Sequence, residues 1–247
     1  DFIAKPAGGA GMRPFGEALR RKVRDASTAR VRQRAAPAPA GPRGDVAQAG
    51  GAKRSALIAI GASTGGVGAI GSIVERLPKG LPPITCVVHM PEKYTGRFAQ
   101  RLANQTGHDV AEARDGERLA AGMIRIAPGD RHLEVARAGD GLQTRLNDGD
   151  LVSGHKPSVD VCFASVAQTV GARAVGVILT GMGRDGAAGL LKMRQAGAVC
   201  FGEAASSCVV YGMPKAAKEM GAVNEEQDLE KIPERICQIA TGATVRV

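Results

Sequence analysis

Three continuous apolar runs without polar alternation stand out along the chain: Ala56–Ile60 (ALIAI), Ile84–Val88 (ITCVV) and Ala174–Leu179 (AVGVIL). A strand with one face in water alternates apolar and polar residues, so unbroken runs of this length predict strands buried on both faces of a parallel sheet. Between the runs, apolar positions recur at helical spacing: Ile70, Ile73, Val74 and Leu77, then Val159, Cys162, Phe163, Val166 and Val170, then Leu190, Leu191 and Met193. Strand and helix alternate, which predicts an α/β fold with a mostly parallel central sheet flanked by helices. One stretch breaks the rhythm. Beyond Met123–Pro128 (MIRIAP), two alternating runs in HLEVARAGDGLQTRL are separated by Gly139-Asp140-Gly141, which predicts an antiparallel hairpin appended to the sheet.

Upstream of the first run the pattern changes. The stretch AAPAPAGPRGDVAQAGGAK, beginning at Ala35, is almost all Ala, Pro, Gly and polar residues and cannot bury enough apolar area to fold, so residues 35–54 read as a flexible linker. Before it, Phe15–Arg34 reads as a helix with Ala18, Leu19, Val23 and Ala26 on one side, and Asp1–Pro6 as the end of a strand. One strand end and one helix are not a domain, and a chain starting at Asp1 inside a strand reads as part of a longer protein. The expected division is therefore 1–34, a linker at 35–54, and one folded domain at 55–247.

Composition narrows the function classes. Of 247 residues, 44% are hydrophobic and 23% charged, which suits a globular protein rather than a disordered one. Aromatics are only 3%, with no Trp, so a stacking platform for single-stranded nucleic acid is poorly supplied. The net charge of +9 is concentrated: residues 1–54 hold 12 of the 33 basic and 4 of the 24 acidic residues, leaving 21 against 20 in the remainder. That basic excess, mainly between Arg13 and Arg34, reads as a solvated helix face, and no nucleic-acid partner is expected. Five widely spaced cysteines without a C-x-x-C pair read as reduced, mostly buried thiols. No apolar run approaches the roughly 18 residues of a membrane span and no secretory leader is visible, so a cytoplasmic protein without membrane insertion is expected. The four histidines are dispersed without ligand-spaced partners, so no metal site is expected.

The first buried run leads into Gly61-Ala62-Ser63-Thr64-Gly65-Gly66 with a helix beyond, the strand–turn–helix context of a G-x-S-x-G nucleophile elbow. Small neighbours permit the sharp turn and leave the hydroxyl at a helix N-terminus. The same turn also suits a capping serine or a phosphate cradle. The second run leads into His89-Met90-Pro91, setting an imidazole at the same edge as Ser63, where ligands and chemistry gather in open parallel sheets. His108, His132 and His155 are rivals with weaker placement, although His155 in SGHKP can line a cleft. The third run leads into Thr180-Gly181-Met182-Gly183-Arg184-Asp185-Gly186, which adds a carboxylate. Ser63, His89 and Asp185 on one rim are the set needed for a hydroxyl nucleophile, its base, and an acid that orients the base. Their chain order differs from that of α/β-hydrolases. The Gly181–Gly186 loop also spells G-x-G-x-x-G, with Glu203 at the distance of a ribose-binding acid, so a dinucleotide-dependent oxidoreductase is the alternative. Against it, Asp185 would set a negative charge where pyrophosphate must approach.

Together the segments LIAIGASTGG, VHMP, EARDGERL, IAPGDRHLEVAR, HKPSVDV, GVILTGMGRDGAAGL and CVVYGMPKAA strongly resemble the bacterial chemotaxis protein-glutamate methylesterases over about residues 55–242. Residues 1–34 resemble the last strand and helix of the response-regulator receiver domain that precedes the catalytic domain in that family. The resemblance implies a serine hydrolase that removes methyl groups, as methanol, from glutamate methyl esters on the cytoplasmic helices of methyl-accepting chemotaxis receptors, commonly deamidating receptor glutamines as well. It needs no cofactor. Position by position, Ser63 matches the nucleophile, His89 the general base and Asp185 the orienting acid, while Thr64 and Met182 match residues lining the reacting centre, where backbone N–H groups can serve an oxyanion. The implied partners also include the receiver domain and the chemotaxis histidine kinase of a full-length protein. Lys5-Pro6 resembles the receiver lysine that contacts a phosphorylated aspartate, but the acceptor is not in this chain, so elevated, unswitchable activity is expected. Glu203–Cys208 departs from the family in lacking its usual Gln-x-Glu-Ala pattern before Cys-Val-Val.

Overall fold

The computed structural model describes residues 12–27 and 55–241. The expected strand end at Asp1–Pro6, the last turns of the helix predicted to Arg34, and the linker lie outside the described residues. Helix α1 (Met12–Ser27) is present. Its Leu19 and Val23, one turn apart, are 43% and 60% exposed.

From residue 55 the elements follow as β1 (Leu57–Ala62), α2 (Gly66–Arg76), β2 (Ile84–Val88), α3 (Glu92–Thr106), β3 (Asp109–Glu112), β4 (Arg118–Leu119), β5 (Met123–Ile126), β6 (His132–Ala138), β7 (Gly141–Asn147), α4 (Val159–Thr169), β8 (Ala174–Ile178), α5 (Ala187–Gln195), β9 (Val199–Glu203), α6 (Met213–Glu219), β10 (Glu225–Gln227) and α7 (Ile232–Thr241). Seven strands form one sheet in the order β10-β9-β8-β1-β2-β5-β3, and every neighbouring pair is parallel. The three apolar runs are its central strands β2, β1 and β8, each buried throughout.

Alternate residues of β1 face opposite layers. Ile58 and Ile60 pack with Ile70 and Ile73 of α2 and Ile232 and Ile236 of α7. Leu57 and Ala59 pack with Val159 and Phe163 of α4 and with Leu190 and Met193 of α5. Burial on both faces is why these strands carry no polar alternation.

The hairpin forms as β6 and β7, with Ala138 opposite Gly141. It joins Arg118–Leu119 in a separate three-stranded antiparallel sheet instead of extending the parallel one. It is tied to α4: Ser165 Oγ accepts the Val135 N–H at 2.9 Å, and Thr169 Oγ1 donates to the Val135 carbonyl at 3.0 Å. All five cysteines are unpaired, and four are buried. Among the described residues no helix is long and apolar enough to cross a membrane.

Candidate active site

The chain leaves β1 toward β2 on one side and reaches β8 on the other, so the carboxyl ends of β1 and β8 border the point where strand order reverses. Open α/β sheets bind ligands at such a point. Ser63 follows β1 and lies beside His89, because Ala62 is paired with Val88 and the His89 N–H donates to the Ala62 carbonyl at 3.3 Å. On the other side the Ser63 N–H donates to the Thr180 carbonyl at 3.0 Å. Gly181 makes that closeness possible: a Cβ there would stand 2.8 Å from Ser63 Cβ. Gly65, at φ 83°, takes the left-handed conformation that lets the chain turn into α2.

The elbow is pinned from beneath. Thr180 Oγ1 donates to the Thr64 carbonyl and accepts the Val210 N–H, both at 3.0 Å. The Thr180 N–H in turn donates to Glu203 Oε2 at 2.8 Å. Glu203 is fully buried at the end of β9, and that burial raises its pKa above the ordinary carboxylate value.

His89 Nε2 donates to Asp185 Oδ2 at 2.8 Å, with side-chain exposures of 9% and 0%. Asp185 is also seated on the N-terminus of α4. Ser158 Oγ donates to its Oδ1 at 2.7 Å, the Val159 N–H to Oδ2 at 2.7 Å and the Asp160 N–H to Oδ1 at 3.1 Å. Burial alone would raise the Asp185 pKa. The His89 and Ser158 hydrogen bonds, the neighbouring imidazole charge and the Val159 N–H outweigh burial and bring it down to about 2. The carboxylate is therefore ionised across the neutral range, oriented by donors that favour charge at a helix N-terminus.

With Nε2 committed to Asp185, the ring nitrogen left to accept a proton is Nδ1, which is buried without a hydrogen-bond partner. Thr64 Oγ1 is buried and unpartnered as well. The structure thus brings Ser63, His89, Asp185, Thr64 and Gly181-Met182 to one sheet edge. It joins His89 directly to Asp185, and it does not hydrogen-bond Ser63 Oγ to His89.

The rival histidines separate clearly. His108 is buried with Nε2 bonded to the Leu77 carbonyl at 3.1 Å, remote from the rim. His132 accepts the Ser158 N–H on Nδ1 at 3.1 Å and donates from Nε2 to the Asp150 carbonyl at 2.8 Å. His155 lies at the rim, with its ring stacked on that of His89. The donors from Ser158, Val159 and Asp160 were not singled out from sequence. Their signal is the S-V-D start of α4, where Ser158 also caps the helix by accepting the Val161 N–H at 3.4 Å.

The same geometry removes the dinucleotide alternative. Asp185 is turned inward onto His89 and α4, and Glu203 is engaged by the Thr180 backbone, so neither carboxylate serves a cofactor.

Residues 58–236 match the model of the CheB methylesterase family. The chain belongs to the CheB methylesterase family. It is 47% identical, over its whole length and 71% of the relative's, to a protein-glutamate methylesterase/protein-glutamine glutaminase of Pectobacterium atrosepticum. The relative of that name from Salmonella typhimurium is 45% identical at the same coverage. Among solved structures, the CheB methylesterase catalytic domain of Thermotoga maritima is 35% identical, with a TM-score of 0.72 over 74% of this chain and 98% of that one. The relatives bear out the hydrolase expectation and lend the oxidoreductase none.

Proposed function

We propose that the chain is a serine hydrolase that cleaves glutamate methyl esters on chemotaxis receptors and deamidates receptor glutamines. The observation that carries this reading is the buried His89–Asp185 pair beside an elbow serine in a CheB-family domain. Ser63 Oγ attacks the side-chain ester carbonyl while His89 Nδ1 takes the hydroxyl proton. Asp185, ionised by its low pKa, holds the proton on Nε2 and stabilises the imidazolium. The tetrahedral oxyanion is met by the backbone N–H groups of Thr64 and Met182, two residues that line the reacting centre. The imidazolium protonates the departing methoxide, and methanol leaves. Water, deprotonated by His89, then attacks the acyl-enzyme and frees the glutamate and Ser63. A glutamine follows the same route with ammonia leaving, more slowly because an amide has the poorer leaving group.

Residues 55–247 form the catalytic unit, 35–54 a linker, and 1–34 the end of a receiver domain. The exposed Leu19 and Val23 on α1 are what a helix shows when the sheet it belongs to is elsewhere. The receptors, the receiver and the chemotaxis histidine kinase that phosphorylates it are the partners, and the protein acts in the cytoplasm. The deciding test is methanol release from methylated chemoreceptor membranes by this chain and its Ser63→Ala variant. A loss on the order of 10³-fold or more is expected, and equal release by both would overturn the assignment.

A further inference from the structure

His89 needs more than its bond to Asp185. A histidine χ2 angle is broad, and one hydrogen bond at Nε2 holds a single edge of the ring while leaving it able to tilt about that contact. The structure supplies a second restraint. The imidazole of His155 lies flat on that of His89, with centroids 3.7 Å apart and the planes 7° from parallel.

His155 is itself built in. Ser153 (φ 54°) and Gly154 (φ 79°) form a two-residue left-handed turn, closed by the Val152 N–H to the His155 carbonyl at 3.1 Å and the His155 N–H to the Val152 carbonyl at 2.9 Å. A serine in that conformation is strained, and Ser153 is held there by its hydroxyl bond to Asp160 Oδ2 at 3.2 Å. Asp160 Oδ1 accepts the Gly189 N–H at 2.7 Å, which fixes the start of α4 against α5. His132 braces the same segment at Asp150 and Ser158. One stretch, 150–160, therefore provides both the backbone donors that seat Asp185 and the ring that covers His89.

Resting on the hydrolase reading above, we propose that His155 is a positioning residue whose stacked ring holds the His89 imidazole in the plane of its Asp185 bond. Its face also stabilises the imidazolium that forms when Ser63 gives up its proton, as an aromatic face does for a cation. The role belongs to the ring face rather than to a ring nitrogen, so Phe should replace it and Ala should not.

The test compares this chain with its His155→Ala and His155→Phe variants by methanol release from methylated receptor membranes and by proton NMR of 15N-histidine-labelled protein. His155→Ala should lower kcat about tenfold with KM unchanged, a loss worth about 1.4 kcal/mol. It should also broaden or erase the low-field resonance of the His89 Nε2–H. His155→Phe should restore kcat to within about threefold and keep that resonance. A His155→Ala variant with wild-type kcat and an intact resonance overturns the proposal, as does a His155→Phe variant as impaired as Ala. If the parent chain releases no methanol, the hydrolase reading fails. The resonance comparison still judges the stack: loss in Ala with retention in Phe supports it, and no difference overturns it.

Discussion

His89 meets Asp185 through Nε2 at 2.8 Å, so the proton-accepting nitrogen of the pair is Nδ1. Serine proteases of the chymotrypsin type use the opposite assignment, with Nδ1 on the carboxylate and Nε2 on the nucleophile. Here the carboxylate approaches from β8 and the N-terminus of α4, while the serine comes from the neighbouring strand β1, and that placement selects the nitrogen.

Asp185→Asn should abolish most turnover without unfolding the protein. The Ser158 hydroxyl and the Val159 and Asp160 N–H groups all donate to this side chain. The two on Oδ1, from Ser158 and Asp160, will claim the amide oxygen and turn the amide NH₂ toward His89, at the cost of the Val159 N–H, which shares Oδ2 with the imidazole. The imidazole then carries its proton on Nδ1, where a base is needed. A fall in kcat of about 10⁴-fold is expected. Methanol release read beside the thermal midpoint checks it, and substantial turnover in a folded variant would contradict the tautomer argument.

Acid should weaken the fold through the same residue. The Asp185 pKa is lowered to about 2 in the folded chain, against about 3.9 for an unperturbed aspartate. A depressed carboxylate contributes stability above its unfolded pKa and loses that contribution as pH falls through the folded value. The window is therefore about pH 4 to 2, and the contribution is on the order of 2 kcal/mol. Denaturant midpoints at pH 5 and pH 2.5 should drop less in Asp185→Asn than in the parent chain.

Glu203 works in the opposite sense. Burial raises its pKa, so its protonated form is the one the fold favours, and stability is lost as pH rises through the raised value. Glu203→Gln keeps an acceptor for the Thr180 N–H and removes that loss, so it should match or exceed the parent at pH 7. Glu203→Ala leaves a buried N–H unpaired, at about 1–3 kcal/mol. It should also loosen the Thr180 hydroxyl that pins Thr64, lowering kcat. Chemical denaturation at pH 5 and pH 8 separates the two variants.

Ser158→Ala removes a helix cap and one donor to Asp185 together. A cap loss of about 1 kcal/mol is expected. With one donor fewer, the Asp185 pKa should rise, moving the acid transition to higher pH. Turnover should fall less than in Asp185→Asn, because the two backbone donors remain. An acid transition unchanged from the parent would show that Ser158 does not tune the carboxylate.

The chain's pattern by itself determined the central strands β1, β2 and β8, because residues buried on both faces must be apolar throughout, and such runs are visible without a structure. It also determined that Ser63, His89 and Asp185 share one edge, since each lies in the loop that leaves the carboxyl end of a strand of the same parallel sheet. Tertiary structure alone decided what holds them. Ser158, Val159 and Asp160 are far from Asp185 in sequence and reach it only because α4 packs across β1. The His155 stack depends on the 150–160 segment reaching His89, more than sixty residues earlier in the chain. Strands β9 and β10, and the separation of the predicted hairpin from the parallel sheet, were equally hidden. Their register is set by neighbours brought in from elsewhere in the chain, and local periodicity carries no record of those contacts.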